Sequence, residues 1–235
     1  MTAVTGPPRL TATCVLVDAH DCGPTGVTWA AGCASALGVG LVIQTSPGAD
    51  PLHDEVSRLR AAHPDLTVHV EHLGRPAARW EGGLVVISRS RAKAAPPLAG
   101  KDERDVVVVA GAPAAIAGRF GVVTAVLCPV GADGVLQRAI AFCHARRATR
   151  LRLLARHCPG SPVVPDEVAD RVHAACPDVI VELVREHRSV QVETRRHPSD
   201  LLVVSGRERG PAEGLQPAAL AALHHARCPV LFSCT

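Results

Sequence analysis

Short runs of apolar residues, four to six long, alternate along this chain with stretches in which apolar residues return every three or four positions. The first kind reads as buried strand and the second as one face of a helix. Thr13-Cys14-Val15-Leu16-Val17 ends at Asp18 and predicts a first strand, followed by a helix with Val27, Ala30, Ala34 and Leu37 inward. Leu41–Ile43 predicts a second strand. Asp50-Pro51 then offers an N-cap and a first-turn proline for a helix with Leu52, Val56 and Leu59 inward. Leu66, Val68 and Val70 alternate as a third strand, Leu84–Ile87 makes a fourth and Val106–Val109 a fifth.

The same succession then repeats. Val122–Leu127, Leu151–Ala155, Val179–Leu183, Leu201–Val204 and Pro229–Phe232 read as five more strands. Helices are expected around Val135, Ala139 and Phe142, around Val168, Val172 and Ala175, and over Ala218–Ala226 behind Pro217. Pieces of sequence recur with the pattern. His63-Pro64-Asp65-Leu66-Thr67-Val68 returns as Cys176-Pro177-Asp178-Val179-Ile180-Val181, and Leu84-Val85-Val86-Ile87-Ser88 as Leu201-Leu202-Val203-Val204-Ser205. Two units of roughly 110 residues fit the usual domain size, with residues 111–120 as linker. Strands alternating with helices imply an α/β fold with a mainly parallel sheet, reached through right-handed crossovers and covered on both faces. Ligands of such sheets sit beyond the carboxyl ends of the strands. Function is therefore sought at Asp18, after Ile87, around Val130-Gly131 and after Val204.

Composition narrows the classes. In 235 residues, 47% hydrophobic and 20% charged, the chain has ordinary globular usage, so general disorder is excluded. No apolar stretch reaches the ~18 residues of a membrane span, and the first eight residues lack a secretory signal, so a cytoplasmic protein with no membrane partner is expected. Twenty-five basic against 22 acidic side chains, +3 overall, is too balanced for a nucleic-acid protein. Aromatics are 2% and Tyr is absent, so bases would find no stacking platform.

Nine Cys contain no C-x-x-C pair, and an odd number without a signal peptide argues for buried thiols over a zinc site or disulfides. Asp18, His20, Asp21 and Cys22 are expected on a solvated loop after the first strand. His69, Glu71 and His72 are expected on an exposed strand face. The basic clusters Arg146-Arg147 with Arg150 and Arg152, and Arg195-Arg196, read as solvated faces. G-x-S-x-G, G-x-x-x-x-G-K-[ST] and H-E-x-x-H are all missing. No enzyme and no metal is expected.

The strand ending Val15-Leu16-Val17-Asp18-Ala19, the segment Trp29-Ala30-Ala31, Gly74-Arg75-Pro76-Ala77 and the tail Ala222-Leu223-His224-His225-Ala226-Arg227-Cys228-Pro229-Val230-Leu231 together resemble the universal stress protein family in its tandem form. The resemblance covers roughly residues 10–110 and 119–235, which would be a first and a second universal stress domain. It implies two flavodoxin-like, Rossmann-like sheets of five strands, each in the order 3-2-1-4-5. Their last strands, Val106–Val109 and Pro229–Phe232, would meet as an intramolecular pseudo-dimer that closes two sheet edges; a homodimer of whole chains stays open.

Many members of that family hold ATP on a G-x-x-G loop after strand four, followed nine residues later by G-S or G-T, because glycine amides and a helix N-terminus can cradle phosphate. Here Ser88 and Arg91 stand at the first two glycine positions of one copy, and Ser205 and Glu208 at those of the other. Asp18 matches the family's adenine-end aspartate, whose counterpart in the second copy falls near Gly131.

The leading expectation is a non-catalytic stress-response or regulatory protein whose ATP binding is lost or weakened. It would need no cofactor and would act on a protein partner or small ligand that the sequence does not name. The alternative is a nucleotide-binding protein with one divergent site, in which Gly206, Gly210 and the helix start near Ala218 would hold phosphate; Asp18 and Ser205 are the other candidate nucleotide-binding residues. A hydrolase on the same scaffold is a third reading.

Overall fold

The computed structural model describes residues 12–46, 52–72, 83–94, 104–128, 131–155, 165–185, 195–206 and 215–233. Ten strands run in chain order: β1 Cys14–Asp18, β2 Gly40–Thr45, β3 Val68–His72, β4 Leu84–Ser88, β5 Val106–Val109, β6 Val122–Leu127, β7 Arg150–Ala155, β8 Ile180–Arg185, β9 Leu201–Ser205 and β10 Val230–Ser233. The helices are α1 Ala19–Leu37, α2 Leu52–Ala62, α3 Arg89–Ala94, α4 Pro113–Ile116, α5 Ala132–Arg146, α6 Pro165–Ala175 and α7 Pro217–His225. The predicted cap of α2 at Asp50-Pro51 lies outside the described residues.

All ten strands form one sheet in the order β3-β2-β1-β4-β5-β10-β9-β6-β7-β8. Neighbours pair in parallel except at the centre. There β5 meets β10 antiparallel, with Val106 opposite Phe232, Val107 opposite Leu231 and Val108 opposite Val230. β1, β6 and β9 are buried along their whole length, which is why they read as unbroken Val/Leu runs. One core cluster joins Val15, Val107, Val123 and Leu231 to α1, α2 and α5. Another joins Val108, Val204, Val230 and Phe232 to Ala92 and to the Ala-rich inner face of α7.

Gly111 makes the turn beyond β5. It adopts φ 116°, and a Cβ there would come within 2.2 Å of the Arg227 carbonyl oxygen. Ala112 N–H donates to that same carbonyl at 2.8 Å. Across the centre, Arg138 of α5 donates to Asp105 Oδ2 at 2.8 Å, and Arg89 of α3 donates to the Ala226 carbonyl at the end of α7.

Four expectations change. Val70 is 45% exposed, because β3 ends the sheet and burial along it stops after Val68. The stretch expected as a plain linker carries a helical turn, α4, with Pro113 at its start. The residues around His20 are not a loop. Asp18 ends β1 and α1 starts at the next residue, with a break at Gly23, whose φ is 60°. Arg152 is not solvated either: it is 7% exposed and ion-paired to Glu182 on the neighbouring β8 at 2.9 Å. Adjacent strands in register place these two side by side.

Candidate functional site

The carboxyl ends of β1 and β4 lie side by side, since Val15–Val17 pair with Leu84–Val86. Each strand runs directly into a helix there, so the exposed N–H groups of two helix starts face the same crevice. Asp18 is the N-cap of α1: its Oδ1 accepts from His20 N–H at 3.0 Å and Asp21 N–H at 3.2 Å. Asp21 crosses to the next strand, accepting from Ser88 N–H at 2.8 Å and from the Ser88 hydroxyl. Ser88 Oγ in turn accepts from Arg91 N–H at 3.1 Å, capping α3. The Arg91 guanidinium returns over the top to Asp18 Oδ2 at 2.7 Å. Two carboxylates, one hydroxyl and one guanidinium thus form a closed circuit.

The circuit determines the chemistry that the crevice can do. A phosphate held at helix starts needs free amides. Here the amides of His20, Asp21, Ser88 and Arg91 are already donated to side chains of the chain itself. Within the circuit itself, two carboxylates stand against one guanidinium. Cys22, beside them, gives its thiol hydrogen to the Val86 carbonyl at 3.5 Å. Burial, reinforced by the charges of Asp21 and Asp18, pushes that thiol up to about 12. At neutral pH the thiol therefore keeps its proton and is a poor nucleophile.

Ser205 and Gly206 end β9, in the other part of the sheet. Ser205 is buried, and Gly206 N–H donates to the Ser233 carbonyl at 2.9 Å, extending the ladder to β10. Because β10 runs antiparallel to β5, the carboxyl end of β9 points opposite to that of β1. The structure therefore keeps Asp18 apart from Ser205 and Gly206. Gly210, with Arg207, Glu208 and Arg209, lies outside the described residues. Gly131 is the N-cap of α5, the place Asp18 holds for α1, and makes no side-chain cap bond. α7 starts with Pro217 at its first turn, without a side-chain cap bond, and proline offers no amide there.

No family model matches the sequence, and no curated protein is similar to it at a significant level. Solved structures are similar in shape. A functionally unknown protein from Pseudomonas aeruginosa PAO1 superposes with a TM-score of 0.64 at 13% identity, over 94% of this chain and 92% of that one. A universal stress protein from Archaeoglobus fulgidus DSM 4304 does so with 0.62 at 10% identity, over 94% and 96%. The cytoplasmic domain of a prokaryotic cation chloride cotransporter reaches 0.60 at 11%, over 94% and 95%. The likeness is one of fold. This chain shares an α/β, Rossmann-like architecture with a universal stress protein, over nearly the full length of both.

Of the residues singled out by sequence, the structure brings Asp18, Asp21, Ser88 and Arg91 together. The role of Asp21, which bridges β1 and β4, was not foreseen. Its signal was an aspartate three residues past a strand end, matched by a serine at the end of a partner strand. Among the described residues no three His, Cys, Asp or Glu side chains gather as metal ligands, and no helix is long and apolar enough to cross a membrane. His224 and His225 lie at the end of α7 with ring centroids 6.1 Å apart.

Proposed function

We propose that the chain is a tandem universal-stress-type protein of two five-stranded units, each in the order 3-2-1-4-5. In this reading it is a non-catalytic stress-response or regulatory protein that has given up ATP binding. The fold likeness to a universal stress protein supports the first part of the reading. So does the strand order, which runs β3-β2-β1-β4-β5 from one edge and β8-β7-β6-β9-β10 from the other.

One observation carries the loss of ATP. The aspartate that would meet adenine is held by Arg91, and the amides that would meet phosphate are held by Asp18, Asp21 and Ser88. In this reading the chain acts through its surface and not at this crevice.

Equilibrium dialysis with labelled ATP, with and without magnesium, tests this. The expected result is no saturable uptake at micromolar nucleotide. Micromolar binding that Asp18→Ala abolishes would return the protein to the nucleotide-binding class.

A further inference from the structure

On the face of the sheet covered by α1, α2 and α5, an open cleft of about 610 Å³ lies between α1, the end of α2, α4 and the last turn of α5. That size is in the range of small-molecule sites, roughly 300–1,000 Å³. Its floor is made of short side chains on α1, among them Thr28, Gly32 and Ala36, and one wall is apolar, from Pro113 and Ile116.

Arg146, the last residue of α5, reaches into this cleft. Its guanidinium carbon stands 5.5 Å from the centre of the Trp29 ring, a cation–π stack. One of its nitrogens donates to the Ile116 carbonyl at 3.2 Å. Among the described residues it forms no ion pair. Asp200, which acts on it at longer range, is committed to the amides of Phe120, Gly121 and Val122 at 3.0, 2.6 and 3.2 Å. Burial has pulled the guanidinium below its ordinary value, the mark of a cation partly deprived of water.

A desolvated charge without a counter-charge is costly. This one is held in place on two sides and leaves further N–H donors of its planar fork for a partner. Trp29, 5% exposed, lines the cleft with its ring, while its indole N–H is buried. Of the other ionisable side chains on the cleft wall, Glu55 and Arg58 cancel each other in an ion pair, and His63 stands just past the end of α2.

We propose that this cleft binds a small organic carboxylate, its charge on Arg146 and its apolar body against Pro113, Ile116 and the floor of α1. One uncompensated positive charge matches a singly charged ligand. A guanidinium fork fits a carboxylate through two parallel hydrogen bonds. The site is independent of the crevice at Asp18 and of any conclusion about ATP.

The test uses the emission of Trp29 in the full chain carrying Trp80→Phe, which leaves Trp29 as the single tryptophan. Cyclohexanecarboxylate is titrated against its neutral amide and against inorganic phosphate. The carboxylate is expected to change the emission saturably, half-complete below about 1 mM, while the amide and phosphate do not. Arg146→Gln should weaken the response at least about tenfold through loss of the charged hydrogen bonds.

Gly32→Leu guards against a folding defect in that variant. A Cβ at Gly32 meets nothing within 4 Å, leucine favours the helix, and its side chain would occupy the cleft. It should weaken binding to a similar degree in a protein at least as stable. No saturable response, an equal response to amide or phosphate, or unchanged affinity in either variant overturns the proposal.

Discussion

Asp18 does two jobs with its two oxygens, and substitutions separate them. Asparagine keeps an acceptor for the helix amides but loses the ion pair; alanine loses both. Capping residues are worth about 0.5–2 kcal/mol, whereas a pair whose arginine is 53% exposed is worth about 1 kcal/mol or less. Urea unfolding should therefore rank the losses Asp18→Ala above Asp18→Asn, with Arg91→Ala close to the asparagine variant. If Arg91→Ala cost as much as Asp18→Ala, the capping role would be wrong.

Residues of this kind are half legible in sequence. An aspartate ending an apolar run marks a strand-to-helix junction by its position alone. The company of Arg146 and Arg152 left no such mark. A basic cluster looks like solvated surface because nothing local shows that Trp29 lies under one guanidinium and β8 beside the other.

At the scale of elements, the inner strands were visible as apolar runs, because a strand buried on both faces leaves no other pattern, whereas the edge strand β3 showed only an alternation. The helices followed from their periodicity. Two short ones did not. α3 occupies the stretch where a phosphate loop would run, and its six residues, Arg-Ser-Arg-Ala-Lys-Ala, show one buried alanine and no repeating apolar face. α4 has four residues, too few for a period.

The turn between β5 and α4 depends on Gly111, which brings the backbone against Arg227 just before β10. Gly111→Ala would suffer both an unfavourable φ and a clash with main-chain atoms that cannot rotate away. A loss of more than about 2 kcal/mol is expected, read by denaturant unfolding. A loss under about 0.5 kcal/mol would mean that the turn is looser than described.

For the molecule as a whole, buried thiols set the alkaline limit of stability. Burial pushes Cys33, Cys143 and Cys228 up to about 12 from the ordinary 9.0, and Cys22 likewise. Between those values the unfolded chain loses thiol protons that the folded chain keeps. Folding stability is therefore fully present below about pH 9 and falls as pH rises toward 12. For Cys33, which is buried, the slope approaches about 1.4 kcal/mol per pH unit. Cys33→Ala should flatten the fall in unfolding free energy between pH 9 and 11, and an unchanged slope would remove Cys33 from the account.

The larger claim is that the crevice at the ends of β1 and β4 is filled from within. Amide resonances of the isotope-labelled full chain, followed during titration with magnesium ATP, report on that crevice directly. The account predicts that His20, Asp21, Ser88 and Arg91 stay where they are at millimolar nucleotide, as do Ser205 and Gly206. Saturable shifts confined to those amides would contradict it.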